Sequence, residues 1–314
     1  MTNPGAGDAL PWSEHRYQTL LSAIAQIVWT TDARGKMTED QPGWRAYTGG
    51  TNEEIQNAGW LTAIHPDSRP QSTAAWDQAM ARALPYETEW YIRRKDGQYR
   101  RFSIHAVPVC DKGSVVREWI CCGIDITDQR RCDERLLRQA RETQILKNLG
   151  DTLQACNSRE EAYPFIALAA TELFPGATGA LAVPITGTRD LFETATEWGG
   201  ETRLGEAAWM KPDFAMEDCW ALRRGVMHQP ESGTTCHHFR SDAVKADACM
   251  PLSVRGEVSG MVSVHLAEGH SLDADRRAAL STFGNAVALG LSTLQLRESL
   301  QNQTPVRRRA PSID

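Results

Sequence analysis

Apolar and polar residues change their period several times along the chain, and each change marks a new element. The stretch Ile27-Val-Trp-Thr-Thr-Asp-Ala-Arg-Gly-Lys-Met-Thr reads as two short strands around an Asp-Ala-Arg-Gly turn, a hairpin in which Gly35 takes positive φ. Short helical pieces are predicted through Trp44, Tyr47 and Ile55. A longer helix follows from Pro66 to Ala83, with Trp76, Met80 and Ala83 at helical spacing. From Tyr86 the period falls to two: Tyr86, Thr88, Trp90 and Ile92 share one face, and Glu87, Glu89 and Arg93 the other. Turns at Lys95-Asp96-Gly97 and Asp111-Lys112-Gly113 divide Gln98–Val109 from Val115–Ile126 and complete a three-stranded meander.

The period returns to helical from Asp128 to Gln154, with Leu136, Ala140, Thr143, Leu146, Leu149 and Leu153 three or four apart. Only about three heptads are available and one step is irregular, so a coiled coil is allowed but not compelled. Ser158-x-x-Glu161 is a capping box that starts a helix through Phe165, Ile166, Ala169 and Leu173, stopped by Pro175-Gly176. Strands are predicted at 177–185 and 191–198, and a short helix at 217–224 that ends at Gly225. A hairpin then pairs 249–254 with 258–266, and a closing helix runs from about Asp273 to Gln301. That helix carries one apolar stripe of Val287, Leu291 and Leu294 and a second of Leu289, Leu296 and Leu300. One sheet face does not need both, which predicts a parallel homodimer.

Composition narrows the class. A chain of 314 residues, 41% hydrophobic and 24% charged, has material for two globular domains. A formal net charge of −6 gives no general attraction for nucleic acid or anionic membrane. No apolar run reaches the roughly 18 residues of a membrane span, and residues 1–11 lack the order of a signal peptide, so a soluble cytoplasmic protein is expected. In that compartment the eight cysteines read as ligands, redox thiols or core residues rather than disulfides. Cys121 and Cys122, neighbours in a strand, point to opposite faces and read as packing.

The ordered set Ile27-Val-Trp-Thr-Thr-Asp, Trp44-x-x-Tyr47-Thr-Gly, Gly59-Trp60, Ile64-His65-Pro66-Asp67, Glu89-x-x-Ile92-Arg93-Arg94-Lys95-Asp96-Gly97 and Asp125-Ile126-Thr127 resembles a PAS domain with its PAC segment. The resemblance implies a sheet and a helical side that enclose a pocket for a small molecule, a cofactor or a protein contact. The cysteinyl-flavin motif Asn-Cys-Arg-Phe-Leu-Gln is absent, which argues against flavin. His65 is more simply a helix start than a haem ligand, His105 a sheet-face residue, and tryptophans 29, 44, 60, 76, 90 and 119 core filling.

The second half, with Pro251-Leu252-x-x-x-Gly256-Glu257-x-x-Gly260 in its hairpin, resembles a GAF domain. Asp218-Cys219-Trp220-Ala221-Leu222-Arg223-Arg224-Gly225, Cys236-His237-His238 and Cys249-Met250-Pro251-Leu252 resemble GAF modules placed before diguanylate cyclase and histidine kinase domains. In that pattern Cys219, Cys236, His238 and Cys249 are the matching positions. Three thiols and an imidazole suffice for zinc or an iron–sulfur site, and thiolates suit redox sensing, but ordinary packing also accommodates them. They lie seventeen and thirteen residues apart without a Cys-x-x-Cys knuckle, so only the fold can bring them together. His228 and His265 are further candidates that read first as turn or sheet residues. Cys236-His237 resembles the bilin-carrying pair of phytochrome-type GAF domains, though the surrounding pattern differs. Cysteine-using methionine sulfoxide reductases are a second, enzymatic alternative.

The sequence thus predicts an α+β chain of two domains, each a mostly antiparallel sheet flanked by helices. The expected boundaries are a disordered N-terminus at 1–13, PAS with PAC at 14–128, a linker helix at 129–142, GAF at 143–302 and a disordered tail at 303–314. No Gly-Gly-Asp-Glu-Phe element, phosphoacceptor-histidine box or nucleotide-binding glycine loop is found, so a non-enzymatic sensor is expected, relaying to a kinase or cyclase partner. The sensor half of a longer cyclase or kinase is the alternative.

Overall fold

The computed structural model describes residues 25–56, 59–188, 190–199, 210–230, 234–240, 246–266 and 271–303. The expectations for residues 1–13 and 304–314 lie outside them. The chain divides into two compact units, 1–136 and 137–314.

The first unit contains a four-stranded antiparallel sheet in the order β1 (Ile27–Asp32), β4 (Val116–Asp125), β3 (Tyr99–Cys110), β2 (Tyr86–Arg93). Between β1 and β2 lie α1 (Pro42–Thr48), α2 (Asn52–Ile55), two 3₁₀ turns at Gly59–Ala63 and Pro66–Ser68, and α3 (Arg69–Arg82). The alternation read for β2 holds: Tyr86, Trp90 and Ile92 are buried while Glu87, Tyr91 and Arg93 are exposed. Gly97, at φ +87, makes the tight link from β2 to β3 that a side chain would strain. The six tryptophans form one core with Ile27, Met37, Ile64, Ile92, Phe102 and Ile104. Trp44 and Trp119 are among the largest fully buried side chains.

One predicted strand is not there. The Asp32–Gly35 turn forms, with Gly35 donating to Asp32 O at 3.0 Å, but residues 36–38 make no strand and β1 pairs with β4 instead. The Asp32 carboxylate accepts the Arg34 and Lys36 N–H groups at 2.9 and 2.8 Å, while Met37 is fully buried in the core. Asp32 N–H also bonds Lys36 O at 2.9 Å and Met37 makes only an isolated bridge, so pairing does not extend into a strand.

A single helix, α4 (Thr127–Ala155), spans the linker region and continues into what was read as the second domain. Its buried positions toward the second unit are Ile145, Leu149 and Leu153, with Leu146 partly buried; Leu136 and Leu137 are exposed. Ile145, absent from the predicted stripe, replaces Thr143 in the seam.

The second unit adds α5 (Arg159–Leu173) and a five-stranded antiparallel sheet. The sheet order is β7 (Asp213–Ala215), β6 (Leu191–Trp198), β5 (Thr178–Pro184), β9 (Glu257–His265), β8 (Ala248–Val254). A short helix α6 (Trp220–Arg224) ends at Gly225 in the left-handed conformation, and α7 (Ala274–Gln303) closes the fold. Ser158 caps α5 by accepting the Glu161 N–H at 3.3 Å. The Glu161 carboxylate reaches Asn157 N at 2.8 Å rather than Ser158 N, so only half of the predicted box forms.

Both faces of this sheet are covered, which is why β5 and β9 read as continuous apolar runs. Leu181, Val183, Val262, Val264 and Leu252 face a core built with α4, α5 and α7. Ala180, Ala182, Cys249 and Met261 face a second core made by α6 and the segments around it. Along α7, Val287, Leu291 and Leu294 are buried, whereas Leu289 and Leu296 stay 62% and 66% exposed. The two stripes of the sequence are therefore physically distinct.

Candidate functional site

The face of the second sheet opposite the long helices is built around Cys249 on β8. Cys219 lies where the 3₁₀ turn Met216–Asp218 gives way to α6, and α6 stops after five residues at Gly225, so the chain folds back. The return is pinned by two hydrogen bonds between His228 and Cys249, N–H to O in both directions at 2.9 Å, which cover the outer edge of β8. Cys236 and His238 follow on a segment tied down by His237 N–H to Asp218 O at 2.8 Å and Lys211 N–H to His238 O at 3.0 Å.

These ties bring all four sequence candidates into one cluster. The donor atoms of Cys219, His238 and Cys249 lie within 4.8 Å of one another. Cys249 Sγ is 3.7 Å from His238 Nε2, and Cys236 Sγ accepts the Trp220 N–H at 3.4 Å while bordering both other thiols and the imidazole. All four residues are buried, with Cys219, His238 and Cys249 at zero exposure. His238 Nδ1 has no hydrogen-bond partner, although a buried nitrogen normally finds one.

The charge distribution follows from the contacts. Cys236 is held well below the usual thiol range by S–H donation from Cys219 and then Cys249, against the burial that pushes it up, with His238 and the Trp220 N–H assisting. Cys219, donating toward Cys236, is pushed up to about 12. Cys249 is raised by its contacts with Cys219 and Cys236 and by burial. The contacts thus favour Cys236 over Cys219 and Cys249 as the most acidic of the three thiols.

Two residues escaped the sequence reading. Ser263 Oγ lies 3.4 Å from both Cys249 Sγ and His238 Nε2, and the Cys219 thiol contacts Met261 Sδ at 3.0 Å. Their signal was the period of two along β9, where 261 and 263 share a face, combined with the pairing of Cys249 opposite Ser263. The remaining candidates lie elsewhere in role. His228 Nε2 is engaged with Thr234 O at 2.9 Å, and His265 pairs with Asp247 at 3.1 Å on the surface. His237 is exposed, so it is His238 that faces the thiols.

In the first unit, Cys121 is buried and Cys122 half-buried on opposite faces, neither in a disulfide. His65 Nδ1 accepts the Asp67 N–H at 3.3 Å, the helix-start role read for it, and His105 contacts Ser103 at 3.0 Å. Trp29, Trp60, Trp76, Trp90 and Tyr86 line a cavity of about 10 Å³, space for roughly one water.

Comparison with known proteins gives matches to parts of the chain. Residues 40–122 match the family model of the PAS fold. Over 129 residues the chain is 31% identical to Uncharacterized protein y4lL of Sinorhizobium fredii, a match that covers 41% of this chain and 15% of that protein. Solved structures similar to parts of the chain include a sensory box histidine kinase/response regulator from Burkholderia thailandensis. It is 24% identical and covers 41% of this chain and 96% of that one, with a TM-score of 0.32. Another is the N-terminal domain of a diguanylate cyclase with PAS/PAC sensor from Marinobacter aquaeolei, at 18% identity, 33% and 97% coverage and a TM-score of 0.30. The GAF domain of a phosphoenolpyruvate-protein phosphotransferase from Coxiella burnetii is 12% identical, covers 51% of this chain and 98% of that one, and gives a TM-score of 0.40. The PAS fold is thus matched within the first unit, over residues 40–122. Among the described residues no helix is long and apolar enough to cross a membrane.

Proposed function

We propose that the chain is a cytoplasmic signal-sensing module without a catalytic step of its own. Its PAS and GAF-like domains receive a small-molecule, cofactor or redox signal, and a homodimer relays it through paired helices to a kinase or cyclase partner. The observation that carries this reading is α4. Its start is tied to the first sheet, where Arg100 bonds Asp125 at 2.7 Å and Asp128 at 2.9 Å and Thr127 Oγ1 accepts the Arg101 N–H at 2.8 Å. Its end is buried in the second core through Ile145, Leu149 and Leu153. A continuous helix whose first turn bonds one sheet and whose last turns join another core is suited to pass on a displacement that a loose linker would absorb.

Between those ends Leu136 and Leu137 are 58% and 71% exposed, apolar surface suited to the same helix of a second copy. Cys132, exposed one turn before Leu136, supplies the test. The full chain should sediment as a dimer, and mild oxidation should link its two copies through Cys132. The link should survive Cys110→Ser and disappear with Cys132→Ser. A monomer at micromolar concentration would overturn the paired-helix relay.

A further inference from the structure

The second core holds more soft donor atoms than packing requires. Two sulfurs and an imidazole, those of Cys219, Cys249 and His238, converge within 4.8 Å, the Cys236 sulfur borders them, none of the four side chains is exposed, and one imidazole nitrogen is left without a partner. Were packing the only demand, aliphatic residues of similar volume would fill this space without a buried polar orphan. We propose that Cys219, Cys236, His238 and Cys249 hold a single zinc ion in a closed tetrahedral site.

The spacing favours one ion over a cluster. Metal–sulfur bonds of about 2.3 Å place tetrahedral donors roughly 3.8 Å apart. The donors of Cys219, His238 and Cys249 already fall within 4.8 Å of one another, with 3.7 Å between Cys249 and His238. An iron–sulfur cluster attaches its thiolates to different irons and needs them farther apart. Charge selects the ion. Three thiolates around a divalent ion leave one net negative charge, whereas around copper(I) they leave two, in a core with no exposed surface. Met261 adds a thioether 3.0 Å from Cys219, but three thiolates and an imidazole already complete zinc's preferred number.

Ser263 fits as support for the ligands. Its hydroxyl reaches Cys249, where it can donate a hydrogen bond to the thiolate without binding the ion. The ion would join β8, the start of α6 and the 234–240 segment, three pieces distant in sequence. Loading exchanges thiol protons for the metal: each coordinating thiol releases its proton to solvent as its sulfur–metal bond forms, with no oxidant or reductant required.

This deepens the sensory reading by naming what the second domain holds, and it rests on that reading only for the ion's signalling role. Elemental analysis of the full chain, purified under reducing conditions without chelator, should find one zinc per chain. After metal removal, cobalt(II) alone should restore occupancy and produce thiolate-to-cobalt charge-transfer absorption. His238→Ala and Cys249→Ser should lose stoichiometric metal, His238→Cys should retain it with a shifted cobalt spectrum, and Ser263→Ala should weaken affinity about 10-fold. Cys121→Ser, in the other domain, should change nothing. If the ligand variants fail to fold, the wild-type cobalt spectrum decides. A folded chain that takes up neither zinc nor cobalt overturns the site, as does iron with acid-labile sulfide or preferential retention of copper(I). A metal-free chain that still forms the Cys132-linked dimer would sink this inference and leave the relay standing.

Discussion

Single positions in this protein differ sharply in what they tolerate. Gly179 on β5 lies against Trp198: an added Cβ would sit 2.1 Å from the Trp198 ring and 2.7 Å from Ser263 O. Gly179→Ala should therefore cost about 1–3 kcal/mol by overpacking, read as a lowered denaturation midpoint. The cysteines differ as much in reactivity. Burial, with a smaller contribution from Cys122, pushes the Cys121 thiol far up, while Cys110 and Cys132 are exposed. A thiol reagent at pH 8 should label Cys110 and Cys132 first and reach Cys121 only in denaturant, followed by mass spectrometry. At this scale the sequence was informative about chemistry and silent about distance. Cys219, Cys236, His238 and Cys249 stand out by type, yet their wide spacing hides their convergence, which depends on a five-residue helix and on the return of His228 along β8. Met261 and Ser263 stayed hidden because a methionine and a serine in an apolar strand look like any other inward positions.

Elements were easier to read where a period persists and turn chemistry agrees with it. The β2–β4 meander and the two stripes of α7 emerged close to their observed limits for that reason. The second arm of the predicted hairpin failed because Asp32 satisfied the backbone of residues 34 and 36 itself, offering a local alternative to a ladder. The junction of β4 with α4 depends on Asp125. Burial pushes its carboxyl up, but Arg100 and the Thr127 side chain and N–H outweigh it and hold it below the ordinary value. A depressed native value means the stabilisation is complete above the unfolded value of about 3.9 and is lost as pH falls through the native one. Asp125→Asn should cost about 1.5–3 kcal/mol at pH 7, the usual range for a hydrogen bond to a charged partner, and the deficit should shrink in acid. Urea titrations of both proteins from pH 7 to pH 3 would measure it.

The described residues form three separate cores, one in the first unit and one on each face of the second sheet. Calorimetry should accordingly resolve two unfolding transitions rather than one. Adding a strong zinc chelator should lower only the transition of the second unit, because bound metal stabilises only the fold that holds it. Two antiparallel sheets flanked by helices were legible from length and from the changes of period along the chain. The α4 seam was legible only in part, since Thr143 occupied a place in the pattern that Ile145 fills in the structure.

The aromatic core of the first domain also determines what light can report. Trp44 and Trp29 lie 5.1 Å apart, Trp29 and Trp90 5.9 Å, Trp60 and Trp90 5.1 Å, and Trp76 and Trp119 5.1 Å, with Tyr86 bridging the two groups. Indoles this close share excitation instead of emitting independently. Their near-ultraviolet circular dichroism is then a collective band, and an event beside any one ring should alter the whole band. The domain contains its own optical antenna, so a change in the packing of that core can be followed without attaching a dye.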